Sequence, residues 1–410
     1  MNGNVSVDLS SAEFAQDPYS VLHRLREEAP VYRSATGSWL FTRYQDVLEG
    51  LSDPRLGNIP SPYAVLNARN RLKYTCADVA NHILPFMDEP RHTHPRKLVS
   101  RCFHEHLKAQ SPAFSAIASG LLRPYFSEGK MDLLHDFATP FTVEVMSDIL
   151  GINAKGKIGI IKEWSDWFFY LFSIIPSESA RQQLDEKLLA FREFFVDLIK
   201  QKSIMPDDGL ISRLLQERED SIALPDAELL DTCLLLMADG VNADHAISNA
   251  MLTLLQHPEQ LQQLRDAPSL LPLAVDELLR YETPALFIGR IALQDIEWDG
   301  HLIRRNQGVL LMLGAANRDP SVFTSPDVLD LSRQPNPFLT FGKGQHTCIG
   351  RSLVRMMLQE AISSLLQAMN HIELCHSSPT WVTRTGHRWL DSLPVTFQAA
   401  HGGTTIQLNT

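Results

Sequence analysis

The sequence has little cysteine and no closely spaced pair of cysteines. Its five cysteines among 410 residues are an odd number, lie far apart and include no CxxC pair. This usage excludes a disulfide scaffold and fits a reducing compartment, and it leaves room for one thiol with a chemical role. The cysteines are Cys76, Cys102, Cys233, Cys348 and Cys375.

The sequence also lacks an excess of positive charge and a long apolar run. With 37 basic and 48 acidic side chains its net charge is −11, which argues against a nucleic-acid-binding protein. The longest apolar runs, residues 234–238 and 309–313, are far shorter than the ~18 residues of a membrane span. Residues 1–16 show no basic segment followed by an apolar one, as a signal peptide would. We therefore expect a cytoplasmic protein that binds neither membranes nor nucleic acid.

The hydrophobic pattern predicts a mainly helical chain with a minor β portion. We find no internal repeat and no low-complexity linker, so residues 1–410 are expected to form a single domain. Helical periodicity dominates a body over residues 92–280. The β-rich segments are expected near residues 30–45, 287–313 and 380–400.

Two further segments carry structural predictions. Residues 53–85 have scattered Pro, Asn and Gly and weak periodicity, which predicts a long mobile loop. Residues 225–255 lie between a helix start at Pro225-Asp226 and a helix end at His257-Pro258. They predict one helix of ~31 residues and ~47 Å, long enough to cross a whole domain.

The residues around Cys348 carry the strongest chemical signal. Residues 341–350 read FGKGQHTCIG, which is the pattern F-x-x-G-x-H-x-C-x-G. A loop that presents a thiolate to haem iron needs glycines where backbone approaches the ring, which predicts positive φ at Gly344 and Gly350. Phe341 would shield the sulfur, and His346 would donate to a haem propionate. The alternative is a glycine-rich turn around a buried, inert cysteine.

The chain resembles the cytochrome P450 family in its soluble bacterial form, over nearly its whole length. Besides the cysteine motif, residues 17–31 and 39–46 resemble the family's first helix and strands, and Glu277-Leu278-Leu279-Arg280 matches its E-x-x-R signature. The resemblance implies the cytochrome P450 fold, one haem b and iron ligation by Cys348. It also implies that Glu277 and Arg280 brace the segment before the cysteine loop, whereas alone they would be a surface helix pair.

The same resemblance implies a set of propionate donors. In Gly289-Arg290-Ile291-Ala292, Arg290 stands where the family has a propionate-binding arginine, and residues 87–99 resemble the helix that supplies His92 and Arg96. Buried carboxylates are costly unless cationic donors surround them. Singly, each residue would more often be a solvated surface charge. Pro95 departs from the family's usual apolar residue.

The centre of the long helix departs from the family pattern of Ala, Gly, any residue, an acid and Thr. This chain has Ala238-Asp239-Gly240-Val241-Asn242-Ala243, so Val241 replaces the acid, Asn242 the threonine and Asp239 the glycine. Three hypotheses follow: Asn242 orders the proton-delivering water, Asp239 has taken over proton delivery, or the enzyme does not activate dioxygen in the usual way. Asp239 as a cap at a kink, without a chemical role, is the remaining alternative.

The substrate pocket is expected, by resemblance, to draw on the distal helix, on the segment after residue 285 and on a C-terminal turn. An aromatic stripe over residues 164–172 is an additional candidate, although such stripes are more often core packing. The pocket residues that we predict are Met237, Ala238, Val241, Leu286, Phe287, Ile288 and Leu390.

The function that these features predict is a haem-thiolate monooxygenase that hydroxylates or epoxidises a small organic, secondary-metabolite substrate. No length remains for a fused reductase, so we expect electrons from a separate ferredoxin or flavodoxin-type donor with its reductase, and a monomeric enzyme. The alternatives are oxidative coupling, cyclisation or peroxide-driven chemistry, and a non-catalytic haem sensor or binding protein. A basic patch for an acidic donor is expected from Arg96, Lys97, Arg101, Lys343, Arg351 and Arg355.

Overall fold

The computed structural model describes residues 7–109, 113–220 and 224–400. Helices make up 55% of the chain and strands 11%, which confirms the predicted mainly α fold of one domain. The α-helices are α1 (Ala12–Gln16), α2 (Pro18–Glu28), α3 (Tyr44–Gly50), α4 (Thr75–His82), α5 (Thr93–Ala109), α6 (Phe114–Leu122), α7 (Thr139–Leu150), α8 (Ile158–Phe168), α9 (Glu178–Ile204), α10 (Leu210–Asp220), α11 (Asp226–Val241), α12 (Ala243–Gln256), α13 (Pro258–Asp266), α14 (Leu271–Tyr281), α15 (Leu313–Ala316) and α16 (Arg351–Ala368).

The strands form three small sheets. Their order is β1-β2-β8-β5-β3 in the largest sheet, β4-β10-β9 in the second and β6-β7 in the third. The strands are β1 (Val31–Arg33), β2 (Trp39–Phe41), β3 (Leu56–Gly57), β4 (Lys130–Asp132), β5 (Ile288–Ala292), β6 (Ile296–Trp298), β7 (His301–Ile303), β8 (Gly308–Leu311), β9 (Met369–Leu374) and β10 (Pro394–Ala399).

The helical body has its own apolar core. A second apolar core forms where the side chains of the largest sheet pack together. In that sheet β2 pairs with β8 in parallel, with Trp39 opposite Val309, and β5 pairs with β8 in antiparallel register, with Arg290 opposite Val309. Strand β5 therefore carries Arg290 toward the protein interior. Within the described residues, no helix is both long enough and apolar enough to cross a membrane.

The long helix predicted over residues 225–255 is two helices, so this prediction was wrong in one respect. Helix α11 ends at Val241, α12 begins at Ala243, and Asn242 between them has φ −63° and ψ −9°. The His245 amide bonds to the Asn242 carbonyl at 3.3 Å, a tighter turn than that of an α-helix. Gly240 and Asn242 are poor helix formers, which accounts for a break at this point.

The predicted loop over residues 53–85 was also wrong in part, because it contains β3 and α4. Helix α4 buries Cys76, Val79 and Ala80 completely, since these residues share one helix face. Ion pairs fix α4 from outside: Arg192 of α9 binds Asp78 at 2.7 Å and Asp231 of α11 at 2.5 Å.

Candidate functional site

The cysteine loop lies between the end of an irregular segment and α16. The Cys348 amide donates to the Phe341 carbonyl at 2.9 Å, and the Gly350 amide donates to the Cys348 sulfur. Gly344 has the predicted positive φ, +74°, and Gly342 has +67°. Gly350 does not, because it has φ −77° as the N-cap of α16, and a Cβ there would lie at an ordinary contact distance, 3.8 Å, from the sulfur. What Gly350 contributes is its backbone amide, which donates to the sulfur.

The segment before this loop is held by a fully buried pair of charges on α14. Arg280 donates to both carboxylate oxygens of Glu277 at 2.7 and 2.8 Å, as the i,i+3 spacing predicts, and neither side chain is exposed. Arg280 also donates to the carbonyls of Asn317 and Pro326, at 2.7 and 2.9 Å. Arg333 reaches Glu277 from the far end of the segment at 3.1 Å. The pair thus holds the irregular backbone between α15 and the cysteine loop. Because both side chains are buried, it is not a surface helix pair.

Four cationic or polar side chains meet beside the cysteine loop. His92 stacks on His346 with ring centroids 4.0 Å apart, and Arg96 of α5 donates to the Thr347 carbonyl within the loop. Among the described residues, Arg290 of β5 is buried and hydrogen-bonds to one group, its neighbour's carbonyl at Gly289. In the same part of the chain, the buried Nε2 atom of His92 has no hydrogen-bond partner. Groups of this kind suit an anionic ligand.

The pKa shifts at this cluster have the same physical origin. Desolvation and then the charges of His92, Arg290 and Arg96 lower the pKa of His346 to about 3, although Asp88 opposes them. Desolvation lowers the pKa of Arg290 to about 10. Asp88, the nearby carboxylate, already accepts from Asn58 at 2.9 Å. The cluster is therefore electropositive, and the two propionates of haem b fit its donors.

The Cys348 thiol lies in a water-poor interior. Desolvation and then the charge of Asp239 raise the pKa of Cys348 to about 12, against the hydrogen bond from Gly350 and the charge of Arg96. A thiol ligand of a metal ion is deprotonated by that ion, so such a thiol becomes a thiolate on binding iron. Phe341, predicted to shield the sulfur, is half-buried between Phe338 and the guanidinium of Arg355.

Asp239 of the distal helix lies close enough to Cys348 for its charge to raise the pKa of that thiol. Desolvation raises the pKa of Asp239 to about 6, yet its side chain has accessible surface, so it lines an internal cavity. Asn242 is partly accessible and its Oδ1 atom is buried without a partner. These two residues share one face of the broken helix with Leu235, because residues three and four apart align on a helix.

Five of the predicted pocket residues are buried. Met237, Ala238 and Val241 have no accessible surface, whereas Asp239 and Asn242 of the same helix do. Leu286 packs in the N-terminal apolar cluster with Leu22 and Met312, and Leu390 lies in the helical core. Their place in a substrate pocket stays a prediction.

Of the remaining pocket candidates, some are partly accessible and others pack against neighbouring aromatic rings. Phe287 and Ile288 are partly accessible, and a Cβ on Gly342 of the cysteine loop would lie 3.7 Å from Ile288. In the aromatic stripe, Trp164 packs on Phe191 of α9 at 5.3 Å, which is core packing. Phe172 stacks on Phe86 at 5.1 Å.

The distal helix is set against α7 by an unusually close contact. A Cβ on Gly240 would lie 2.5 Å from Cγ of Met146, so a larger residue there requires the Met146 side chain to shift. The contact lies between Asp239 and Asn242 in the sequence of the distal helix.

A buried charged cluster behind the distal helix was missed by sequence reasoning. Lys162 of α8 lies 3.0 Å from Asp244 of α12, and Asp244 also accepts from Thr139 at 2.7 Å. His245 stacks on Trp389 with centroids 4.2 Å apart. The only signal in the sequence was a charged pair, Asp244-His245, inside an apolar helix.

This helical fold and its cysteine site define a haem-binding oxidoreductase. The family model for cytochrome P450 matches residues 154–383. The chain is 35% identical over 400 residues to a biotin biosynthesis cytochrome P450 of Bacillus subtilis (strain 168), covering 96% of this chain and all of that one. It is 32% identical to the polyketide biosynthesis cytochrome P450 PksS of the same organism, covering 93% and 96%. Among solved structures, P450BioI in complex with hexadec-9Z-enoic acid ligated acyl carrier protein matches with a TM-score of 0.86 and 34% identity, covering 95% and 100%.

The chain therefore belongs to the cytochrome P450 family. The cofactor of this family is thiolate-ligated haem b, and its members are monooxygenases that need an electron-donating partner and a substrate. Several relatives act in biosynthesis.

Proposed function

We propose that Cys348 would ligate the haem iron and that His92, Arg96, Arg290 and His346 would bind the haem propionates. The observation that carries this proposal is the meeting of an interior thiol, held by the Gly350 amide, with an electropositive cluster on its flank. Arg96 links the two, because it donates to the loop that contains the cysteine. Gly344 and Phe341 give the loop its turn and its apolar cover.

The reaction that we propose is oxygen insertion into a small organic biosynthetic substrate, by hydroxylation or epoxidation. Thiolate-ligated haem supplies the activation of dioxygen. The chain supplies the surroundings: Gly350 stabilises the sulfur, Phe287 and Ile288 offer apolar contact, and Asp239 and Asn242 handle protons in the cavity. Asp239, with its pKa raised to about 6, can both take up and release a proton near neutral pH. The similarity to P450BioI, whose structure is in complex with hexadec-9Z-enoic acid ligated acyl carrier protein, supports a substrate with an extended apolar carbon chain.

Electrons, in this proposal, come from a separate ferredoxin or flavodoxin-type protein. Of the six predicted patch residues, Lys97, Lys343 and Arg351 are exposed and available to an acidic donor. The other three are engaged: Arg96 with Thr347, Arg101 with Glu217 at 2.5 Å and Arg355 with Asp276 at 2.5 Å. The basic surface is therefore smaller than the sequence predicts, and binding should weaken with salt.

A second candidate is oxidative coupling, cyclisation or peroxide-driven oxidation. The specific observation in its favour is that Val241 and Asn242 stand where the family pattern has its acid–threonine pair, and that Val241 is apolar and fully buried. Product mass separates the candidates, because insertion adds one oxygen atom whereas coupling removes hydrogen.

The proposed function is tested by the ferrous–carbon monoxide difference spectrum of wild-type protein and of Cys348→Ser. We expect the thiolate-type spectrum in the wild type and its loss in the variant. Cys375→Ser is the matched control, because Cys375 is exposed and distant in sequence from the loop. An unchanged spectrum in Cys348→Ser would exclude Cys348 as the ligand.

A further inference from the structure

Residues 59–73, between β3 and α4, form a surface segment that is basic although the chain is acidic. The segment contains no Asp or Glu, whereas the whole chain has a net charge of −11. Its basic residues Arg69, Arg71 and Lys73 are all exposed. In the part of the chain that the structure describes, neither arginine forms an ion pair. The segment therefore carries local positive charge at the surface.

The same segment exposes large apolar side chains. Leu72 is 96% exposed and Tyr63 is 81% exposed, so both project from the surface almost as a free side chain would. A single exposed apolar residue is ordinary in a folded protein. Leu72, however, lies directly between Arg71 and Lys73, so an apolar side chain and two positive charges share one place.

Hydrogen bonds from two asparagines hold the segment in a defined shape. The side-chain amide of Asn67 donates to the Pro60 carbonyl at 3.1 Å, and that of Asn70 donates to the Val65 carbonyl at 2.8 Å. Asparagine side chains commonly stabilise turns by bonding to nearby backbone in this way. The backbone is therefore ordered before any partner arrives, so the segment loses little conformational freedom on binding.

The carboxylates of the adjoining helix α9 do not cancel the charge of the segment. Arg181 binds Glu178 and Asp185, each at 2.5 Å, and packs against the end of the segment. Glu178 also interacts with Lys73. These two carboxylates are thus matched by Arg181 and Lys73, and the two arginines of the segment remain for a partner.

A fluid anionic surface suits this segment better than a folded acidic protein does. A stable protein interface needs a contiguous area of ~800 Å² on each partner, whereas Tyr63 and Leu72 project singly. Lipid headgroups accommodate single projecting side chains, and tyrosine favours the boundary between lipid and water. Basic residues beside them strengthen the contact with anionic lipids.

We propose that residues 59–73 bind the surface of an anionic lipid bilayer. Tyr63 and Leu72 insert among the headgroups, and the basic residues Arg69, Arg71 and Lys73 pair with the lipid phosphates. The net charge of −11 does not prevent this contact, because charges more than ~10 Å away are largely screened at moderate salt. The contact is peripheral; it goes beyond the proposed function and does not depend on it.

The test is flotation of the holoenzyme with lipid vesicles. We expect the wild type to float with vesicles of equal parts phosphatidylcholine and phosphatidylglycerol, to stay in solution with phosphatidylcholine alone, and to be released by added salt. The double variant Arg69→Gln/Arg71→Gln should bind the mixed vesicles roughly 10- to 30-fold more weakly, because each basic residue near such a surface contributes about fivefold. Leu72→Ser should bind roughly 10-fold more weakly.

The matched controls are exposed residues elsewhere on the chain. Ile204, at the opposite end of α9, is 81% exposed, but Asp207 and Asp208 follow it in the sequence. Lys155 and Lys157 are exposed lysines of another loop. Ile204→Ser and the double variant Lys155→Gln/Lys157→Gln should each change vesicle binding by less than about twofold, since binding depends on one segment.

Several outcomes would overturn the proposal. The wild type would fail to float with the mixed vesicles, or would float equally well with phosphatidylcholine alone. Equal losses in Leu72→Ser and Ile204→Ser would likewise exclude a specific segment. Absent flotation together with retention on immobilised poly-L-glutamate, lost in Arg69→Gln/Arg71→Gln, would identify an acidic protein as the partner instead. Failure of the proposed function is separate, because it shows in the ferrous–carbon monoxide spectrum.

Discussion

Replacing Arg280 with methionine should remove a third or more of the stability of a typical protein, which is about 5–15 kcal/mol. Methionine has similar length and no charge, so the change removes the interactions and keeps most of the volume. It leaves Glu277 with Arg333 as its remaining cationic partner, and it leaves the carbonyls of Asn317 and Pro326 without their donor.

The expected loss follows from these contacts. Removing one partner of a buried ion pair costs about 3–5 kcal/mol, and Arg333 keeps the loss at the lower end. Two carbonyls that lose a buried donor add about 1 kcal/mol or more each. We therefore expect a decrease of about 5 kcal/mol in the free energy of unfolding, compared with the 5–15 kcal/mol that typical proteins possess.

Urea unfolding followed by circular dichroism measures this change, and haem retention measures its effect on the cysteine loop. Arg304→Met is the matched control, because the Arg304–Asp295 pair is exposed and should contribute less than about 1 kcal/mol. If Arg280→Met cannot be purified, Arg280→Lys should show an intermediate decrease in the free energy of unfolding. Lysine keeps the positive charge, but it cannot donate to both carboxylate oxygens of Glu277 as the guanidinium does. An Arg280→Met variant as stable as Arg304→Met would refute the reasoning.

Three further predictions concern other parts of the molecule. Gly240→Ala should lower the free energy of unfolding by about 1–3 kcal/mol, and Met146→Ala in the same chain should recover part of it, as urea midpoints would show. Desolvation lowers the pKa of His387 to about 3, so folding favours its neutral form. The free energy of unfolding should therefore fall as the pH decreases below 6.5, by up to about 1.4 kcal/mol per pH unit. In His387→Asn this decrease should be smaller. Arg290→Gln should retain less haem than wild type during gel filtration, whereas equal retention would argue against a propionate contact.

The parts of the site that are local in sequence could be predicted from it. The cysteine loop is a short pattern whose chemistry requires fixed residue types at fixed spacing. The buried Glu277–Arg280 pair followed from the resemblance to the family, because its spacing alone predicts only a surface helix pair. Helical periodicity likewise predicted most of the body between residues 92 and 280.

The parts that depend on tertiary packing could not be predicted. Met237, Ala238 and Val241 are apolar and next to the cavity in sequence, but the break at Asn242 decides which face of the helix is open. The cluster around Lys162 joins α8 to α12 across 82 residues of chain, and nothing local to either helix indicates the pairing. Helix α4 was hidden because its helical period spans only eight residues.

The contact of Gly240 with Met146 lets a side chain of α7 influence the position of the distal helix, and with it the positions of Asp239 and Asn242. A bulkier or thinner side chain at position 146 would tilt the broken helix and so alter the clearance above the sulfur. Substrate scope could then be tuned by substitutions outside the chamber wall, which variants selected for new substrates should reveal as changes at position 146.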